Sequence, residues 1–249
     1  MNILIPMAGQ GSRFQQAGYS FPKPLIDVNH KPMIQVVTDN LSLDGRHIFL
    51  VLKDHYEKYS LRYLLPLIVQ PRACEIIQVD QVTQGAACTA LLARELINTD
   101  DELVIANSDQ WVDWDSRHFL AYMRTRQADG GILTFFSTHP KWSFVRVDEL
   151  SSRITEVAEK RPISSVATVG IYYFRRGRDF VAAAERMIEK NLRVNNEFYV
   201  APAYNEMIAD GKMVLSYPVA EMKGLGTPED LERFLSDQKQ GMGGVRRAV

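Results

Sequence analysis

The residues best suited to chemistry lie within the first 28 positions, where a glycine loop precedes a lysine flanked by prolines. The apolar run Ile3-Leu4-Ile5 leads into Gly9-Gln10-Gly11, so a buried strand should end in a tight turn at the carboxyl edge of a sheet. Backbone N–H groups in such a turn can face an anion without side chains in the way. Arg13 and Lys23 add full positive charges beside it. The spacing therefore predicts a cradle for a polyphosphate.

This loop fits neither of the two common nucleotide-binding motifs. The Rossmann fingerprint needs a third glycine three residues after the second, and Phe14 occupies that position. The Walker loop needs Gly-Lys-Ser or Gly-Lys-Thr, which the segment lacks. A lone Gly-x-Gly also occurs in ordinary turns, so the glycines alone leave both interpretations open.

A carboxylate follows another buried strand. Asp109 comes three residues after Ala106, where the apolar run ends, at the sheet edge expected for the glycine loop. A carboxylate there can hold Mg²⁺, which bridges phosphate oxygens and offsets their charge. Asp109 is therefore the leading candidate for a metal ligand, with an ordinary surface aspartate as the alternative.

Asp113 and Asp115 match the Asp-x-Asp motif of metal-dependent glycosyltransferases. They precede a helix, however, and helix capping explains Asp115.

The spacing of apolar residues predicts strands that alternate with helices through the first half of the chain. The predicted strands are 3–5, 46–52, 74–79, 102–106 and 131–136, and the predicted helices are 32–41, 54–65, 85–97 and 116–127. Such alternation favours βαβ units. The predicted fold class is α/β, with a doubly wound, mostly parallel sheet.

The second half changes character. Residues 142–147 and 153–157 alternate with period two around Ser151-Ser152, which predicts a small antiparallel ribbon. Further predicted strands are 168–174 and 213–217, further predicted helices are 177–190 and 197–210, and Thr227-Pro228 opens the last helix. One domain is expected over residues 1–240, followed by a flexible tail at 241–249.

Composition excludes several classes of function. The net charge of −1 gives no field to attract nucleic acid or anionic membranes. Apolar runs fall short of the roughly 20 residues that span a bilayer, and the chain starts in a core strand, without room for a signal peptide. The two cysteines, Cys74 and Cys88, are expected to be reduced core thiols. We therefore expect a cytoplasmic protein without nucleic-acid or membrane partners.

Three segments together resemble the signature of the nucleotidyltransferase superfamily, the NTP transferases of sugar phosphates and alcohol phosphates that are also called pyrophosphorylases. The segments are Met7-Ala8-Gly9-Gln10-Gly11-Ser12-Arg13-Phe14, Phe21-Pro22-Lys23-Pro24-Leu25-Ile26 and Lys31-Pro32-Met33-Ile34. The resemblance implies a Rossmann-like fold of the GT-A type, with the ribbon covering an acceptor site. It also implies attack by a substrate phosphate on the α-phosphorus of an NTP, with pyrophosphate leaving.

The resemblance assigns roles to many of these residues. Arg13 would neutralise the leaving phosphates, Lys23 would lie near the α-phosphate and the attacking phosphate, and Asp109 would bind Mg²⁺. Further implied nucleotide contacts are Met7, Ala8, Gly9, Gly11, Ser12 and Ser108, with Gln81, Gln84 and Gly85 at the base. A glutamine amide presents both a donor and an acceptor to a base. A plain helix start with close packing at Gly85 is the alternative for that loop.

The acceptor side and the second metal ligand follow the family pattern less closely. Lys141 and Lys160 lie on the ribbon, where a lysine can bind the acceptor phosphate, but Arg161 separates Lys160 from the proline of the family's Glu-Lys-Pro segment. A solvated strand end is the alternative. Gly224 stands where the family usually has a second metal aspartate. Glu197, at the start of a predicted helix, is the predicted substitute and a further acceptor contact, with helix-dipole complementarity as the alternative.

The sequence thus predicts a Mg²⁺-dependent nucleotidyltransferase that acts on an NTP and a small phosphorylated sugar, polyol or amino acid. Residues 1–136 would hold the nucleotide and residues 137–240 the acceptor. The short chain and the Ser-Arg-Phe loop are similar to compact cytidylyltransferases of capsule or surface-glycan precursor synthesis, which favours CTP. Two alternatives remain: a glycosyltransferase that uses Asp113 and Asp115 and releases a nucleoside diphosphate, and a nucleotide-sensing domain that releases no pyrophosphate.

Overall fold

A computed structural model describes residues 1–148 and 150–244, with side chains described through Gln238. The strands are β1 Asn2–Pro6, β2 Asp27–Val28, β3 Lys31–Pro32, β4 Arg46–Leu52, β5 Cys74–Val79, β6 Leu103–Ala106, β7 Gln110–Asp113, β8 Gly130–Phe136, β9 Ser143–Val147, β10 Ile154–Glu159, β11 Val166–Phe174, β12 Val214–Pro218 and β13 Glu221–Gly224. The α-helices are α1 Ser12–Gln16, α2 Met33–Leu41, α3 Lys53–Lys58, α4 Leu61–Val69, α5 Ala86–Leu91, α6 Arg94–Ile97, α7 Ser116–Thr125, α8 Gly177–Glu189, α9 Tyr204–Ala209 and α10 Pro228–Gly244. Short 3-10 helices lie at Lys23–Leu25 and Ala201–Ala203.

The central sheet has nine strands, and β2–β3 and β7–β13 form two small antiparallel sheets beside it. Its order is β5-β4-β1-β6-β11-β8-β12, and β9 with β10 continues it from the start of β11. The neighbours β5, β4, β1 and β6 are parallel, as are β8 and β12, whereas β11 runs antiparallel to its three neighbours, β6, β8 and β9. The α/β class and the antiparallel ribbon, β9–β10, are confirmed.

Helices cover both faces of the sheet, as the continuous apolar strands predict. Along β4, Ile48 and Leu50 pack into the core beneath α5, α8 and α9, whereas Phe49 and Val51 pack into the core beneath α2, α4 and α7. Each strand residue has its side chain on the opposite face from its neighbours, so a strand between two helical layers needs apolar residues at every position. No helix among residues 1–148 and 150–244 is long and apolar enough to cross a bilayer.

The predicted helix at 54–65 is wrong in its limits. Ser60 has a left-handed backbone with φ of 51°, which separates α3 from α4. Pro66, directly after the predicted end of that helix, lies inside α4. Burial of Leu65 and Val69 against the sheet holds this helix together despite the backbone hydrogen bond that proline cannot make. The predicted helix at 85–97 is likewise two short helices, α5 and α6.

The helix predicted to start at Glu197 begins later. Asn195 and Asn196 both have positive φ, and the backbone N–H and carbonyl of Glu197 pair with Val194 in a tight turn. Regular helical structure follows only from Ala201, and α9 spans Tyr204–Ala209. Asparagine adopts left-handed conformations more readily than other non-glycine residues, so two in succession favour a turn here.

The C-terminal boundary also differs from the expected one. Helix α10 continues to Gly244, so the tail predicted from 241 begins inside it. The remainder of that predicted tail, 245–249, lies outside the described residues. At the start of α10 the Thr227 hydroxyl accepts a hydrogen bond from the Asp230 N–H at 3.2 Å, which confirms the predicted cap.

His47 gives the core a predictable pH dependence. It is 1% exposed in β4, and burial, with Arg72 nearby, lowers its pKa to about 4. In the unfolded chain this imidazole is protonated below about pH 6.5, whereas in the folded chain it is protonated only below about pH 4. This group should lower the free energy of unfolding by about 2 kcal/mol between pH 7 and pH 5. Urea unfolding of wild type at pH 7 and pH 5 should show this loss of unfolding free energy. In His47→Asn the loss between the two pH values should be smaller by about 2 kcal/mol. An identical loss in wild type and variant would show that His47 is not its source.

Candidate active site

A cavity of about 540 Å³ opens at the sheet edge where the neighbouring strands β1 and β6 end. Predicted site residues that line it are Arg13, Asp109, Lys141 and Lys160. They come from the start of α1, the segment after β6, and the segments before and after the β9–β10 ribbon. Parallel neighbours end at the same edge, which is why residues so far apart in sequence share one cavity.

The glycine loop and the Pro-Lys-Pro segment are in direct contact. Gly11 has φ of 65°, a conformation that favours glycine, and it precedes α1, where Ser12 is the first residue and Arg13 the second. A Cβ atom on Gly11 would lie 3.2 Å from the Cβ atom of Lys23. The two halves of the motif therefore pack together, with Arg13 reaching the cavity.

Other residues of the loop differ in accessibility. Met7 and Ala8 are buried, and the Met7 N–H donates to the Leu50 carbonyl at 2.9 Å. Gly9 is exposed, and Ser108, after β6, is buried. Gly9 therefore offers accessible backbone, and nucleotide contacts by Met7, Ala8 and Ser108 stay a prediction.

Lys23 and Asp109 form an ion pair at the edge of the cavity. Lys23 Nζ lies 2.8 Å from Asp109 Oδ2, and the two side chains are 24% and 25% exposed. Lys23 begins a 3-10 helix between prolines whose fixed φ restricts the backbone that carries it. A Cβ atom on Gly226 would come within 2.8 Å of Asp109 Oδ2, so glycine at 226 keeps space open beside that carboxylate.

The loop predicted to read the base packs against the chain near residue 198. Gly85 has φ of 124°, and a Cβ atom there would lie 2.6 Å from the backbone nitrogen of Phe198 and still closer to its carbonyl oxygen. Gln84 accepts a hydrogen bond from Arg193 Nη2 at 2.7 Å, and Gln81 is exposed. The structure thus provides the close packing that was the alternative for Gly85, and base contacts by this loop stay a prediction.

Lys160 is held by an aromatic and acidic pair. Its ammonium group donates to the Tyr199 hydroxyl and lies 4.5 Å from the centre of that ring. The Tyr199 hydroxyl donates in turn to Glu197. Glu197 is exposed and reaches the site through Tyr199. The expectation that Glu197 starts a helix is wrong, because the residue lies in the Val194–Glu197 turn instead.

Lys141 also has an acidic partner. Its ammonium group lies 2.9 Å and 3.1 Å from the two carboxylate oxygens of Asp230 and 4.6 Å from the ring centre of Trp142. Asp230 belongs to the first turn of α10. A Cβ atom on Gly224 would lie 3.3 Å from the Trp142 ring and 3.5 Å from Asp230 Oδ2. Trp142 and Asp230 therefore border the position where the family usually has its aspartate.

Sequence reasoning missed Glu159, the last residue of β10. Its side chain lines the cavity, the residue is 8% exposed, and one carboxylate oxygen accepts a hydrogen bond from the Ser143 hydroxyl. Burial raises the pKa of Glu159, although Ser143 and Lys160 act against that shift. Its carboxyl group at the end of the buried run Val157-Ala158 was the available signal, because a buried acid in a strand needs a functional or structural partner.

Asp113 and Asp115 are not among the residues that line the cavity. The Asp115 carboxylate accepts hydrogen bonds from the N–H groups of Arg117 and His118 at 2.9 Å and 3.1 Å, so it caps α7 as predicted. Asp113 ends β7 and pairs with Glu221 of β13. Within the described part of the chain, no group of three or more acidic, histidine or cysteine side chains forms a metal-binding cluster.

The family assignment comes from comparison with known proteins. A model of the family described as Nucleotidyl transferase matches residues 3–240. The chain belongs to this family. It is 24% identical over 239 residues to mannose-1-phosphate guanylyltransferase catalytic subunit beta of Dictyostelium discoideum, covering 95% of this chain and 63% of the relative. It is 26% identical over 176 residues to the bifunctional protein GlmU of Methanocaldococcus jannaschii, covering 70% of this chain and 40% of the relative.

Solved structures of two pyrophosphorylases share the fold. A nucleoside-diphosphate-sugar pyrophosphorylase from Vibrio cholerae RC9 superposes with a TM-score of 0.79 at 23% identity, covering 94% of this chain and 99% of that one. A UDP-glucose pyrophosphorylase complexed with UDP-glucose gives a TM-score of 0.79 at 16% identity, covering 96% and 98%. The chain spans less than two thirds of the length of these two curated relatives.

Proposed function

We propose that this transferase moves a nucleoside monophosphate from an NTP to a small phosphorylated acceptor, releasing pyrophosphate. One observation supports it above the others: a single cavity is lined by Arg13, Asp109, Lys141 and Lys160, with Lys23 bonded to Asp109 at its edge. Phosphoryl-group chemistry of this kind needs positioned charge more than covalent catalysis. An acceptor phosphate is already ionised at neutral pH, so no general base is required.

The nucleotide phosphates lie, in this proposal, between the glycine loop and Lys23. Arg13 enters the cavity from the start of α1, and its guanidinium offers paired N–H donors to phosphate oxygens. Lys23 is anchored by its prolines and by Asp109, so its ammonium group is oriented before substrate binds. Positioning in advance matters because each charge then stabilises the transition state without reorganisation.

The residues present fit a magnesium ion that arrives with the nucleotide. Asp109 is a partly exposed carboxylate, and glycine at 226 leaves the space beside its Oδ2 atom unfilled. Mg²⁺ commonly takes one or two protein carboxylates and completes its shell with phosphates and water. When bound, the ion would neutralise phosphate charge. Asp109 is the residue we propose to hold it.

The acceptor occupies the half of the cavity formed around the ribbon. Lys160, positioned through Tyr199 by Glu197, is proposed to bind the acceptor phosphate, and Lys141 adds a second cation. Glu197 would act as a positioning residue for Lys160, in place of the metal-ligand role expected from the sequence. Glu159 and Trp142 border the remainder of this space, where a carboxylate and an indole suit hydroxyl groups and a ring face.

The proposal also concerns which NTP is the donor and which biosynthetic pathway uses the product. The sequence favours CTP and an activated precursor for a capsule or surface glycan. The relatives above are named for guanylyl transfer and for a UDP-sugar, and neither name refers to cytidylyl transfer. An NTP competition assay therefore decides this point, with CTP as the expected best donor.

The test is a pyrophosphate-release screen of CTP, GTP, UTP, dTTP and ATP against sugar, polyol and amino-acid phosphates, with Mg²⁺ present. Wild type should release pyrophosphate with at least one pair, and Asp109→Asn should lower that rate by about 100-fold or more, because a neutral amide holds the cation weakly. Glu221→Gln, a change to an exposed acid outside the cavity, should keep the wild-type rate. Turnover of a nucleotide sugar with release of a nucleoside diphosphate, and none with any NTP, would refute the proposal.

A further inference from the structure

Gln110 carries the feature that the proposed chemistry leaves unexplained. It follows Asp109, opens β7 and lines the cavity, yet it is only 3% exposed. Its Nε2 group donates to the Asn107 carbonyl at 2.8 Å. This bond sets the orientation of the amide, because the reverse orientation would place two oxygens against each other.

The other end of the amide has no partner. Among buried side-chain polar atoms of the described residues, Gln110 Oε1 alone makes no hydrogen bond. Leaving a buried acceptor unpaired costs about 1–3 kcal/mol, and such atoms in native proteins call for an explanation. At the wall of a substrate cavity, a bound molecule is the natural source of the missing donor.

The position of Gln110 in the small β7–β13 sheet also favours contact with a bound molecule. Gln110 pairs directly with Gly224, and opposite residues of an antiparallel pair project to the same face. Glycine removes the side chain that would share this face, and the space it leaves is bordered by Trp142 and Asp230. Both of these residues line the same cavity, beside Lys141.

We propose that Gln110 is a specificity-determining residue whose amide oxygen accepts a hydrogen bond from a hydroxyl or N–H group of the phosphorylated acceptor. This inference rests on the proposed function and extends it by assigning a donor group to the acceptor. An uncharged amide oxygen can pair with a neutral donor such as a hydroxyl group without leaving a charge buried. A site built to pair with such a donor rejects the analogue that lacks it, because the oxygen is then buried unpaired again.

The first arm of the test compares Gln110→Met with wild type, using mannose 1-phosphate or glucose 1-phosphate, whichever gives higher wild-type turnover. Methionine keeps the length of the side chain and removes the oxygen. The KM for the sugar phosphate should rise about ten-fold, whereas the KM for the NTP stays unchanged. Gln35→Met, the same chemical change on α2 outside the cavity, should leave both KM values at wild-type levels.

The second arm uses monodeoxy derivatives of the same sugar phosphate. One derivative should abolish the difference in KM between Gln110→Met and wild type, because it lacks the group that pairs with the oxygen. Thermal unfolding of the free variant should stay within about 3 °C of wild type, since methionine removes an unpaired oxygen together with one hydrogen bond. A structural role would instead give a large loss of thermal stability and no effect specific to one derivative.

Three results would overturn the inference. An acceptor KM that is unchanged in Gln110→Met excludes the contact. An unchanged acceptor KM with weaker Mn²⁺ binding in the presence of NTP assigns the oxygen to the cation. If the wild-type protein releases no pyrophosphate with any pair of NTP and phosphorylated acceptor, the proposed function is refuted and the inference fails with it. The first two results, in contrast, leave the proposed function intact.

Discussion

Replacement of Lys23 by methionine is expected to lower nucleotidyl transfer by 100-fold to 1,000-fold while the protein stays folded. The ammonium group lies 2.8 Å from Asp109 Oδ2, at the point where the two halves of the glycine and lysine motif meet. Methionine keeps the length of the stem but removes the charge that would stabilise the α-phosphate and the attacking phosphate. Losing one preorganised charge at a transition state has an effect of this size.

Stability should change little in the same variant. Both partners of the ion pair are about one quarter exposed, and pairs of this kind contribute only about 0–1 kcal/mol. The measurement is single-turnover transfer together with thermal unfolding. Arg94→Met, which breaks an exposed pair with Glu185 at 3.0 Å, is the matched control and should retain full activity. A Lys23→Met enzyme within three-fold of the wild-type rate would contradict the assigned role.

The second large effect is expected at Gly85, where alanine should destabilise the fold by about 3 kcal/mol and weaken acceptor binding. A Cβ atom there would lie 2.6 Å from the backbone nitrogen of Phe198 and closer to its oxygen, and φ of 124° adds strain for any residue with a side chain. Backbone cannot move aside as a flexible side chain does. The segment that carries Phe198 must therefore shift, and Tyr199, which holds Lys160, shifts with it.

Gly211→Ala is the control for backbone strain alone. Gly211 has φ of 75°, yet no atom lies within 4 Å of the Cβ position, so alanine there meets strain without a clash. It should cost about 1 kcal/mol. Urea unfolding measures both variants, and the acceptor KM of Gly85→Ala should rise while that of Gly211→Ala stays normal. Equal losses of stability in the two variants would show that contact with Phe198 adds nothing.

Much of the fold was predictable because its signals are local. Strands such as β4 are continuous apolar runs, and α2 and α8 show a regular apolar face, so a window of adjacent residues is enough to identify them. The errors occur where one backbone angle decides the outcome. Ser60 in a left-handed conformation divides one predicted helix, and Asn195 with Asn196 delays another. Propensity alone does not resolve such single-residue changes of conformation.

The placement of candidate site residues was predictable to a similar degree. Arg13 and Asp109 follow strands β1 and β6, and parallel neighbours bring those ends together. The helix start expected at Glu197 was wrong, because the residue lies in a turn with Val194. Glu159 was missed, because the pattern of its strand does not reveal that the end of β10 faces a cavity.

By itself the sequence determined the α/β class, the glycine loop and the positions of Lys23 and Asp109, since these depend on contiguous residues and on rules for strand ends. Only the tertiary structure decided the partners: Asp230 for Lys141, Tyr199 and Glu197 for Lys160, Ser143 for Glu159, and Gly224 opposite Gln110. Each of these pairs depends on strand register or on the packing of distant segments. The chemistry of a residue type can be read locally, but its burial and its partner are properties of the folded chain.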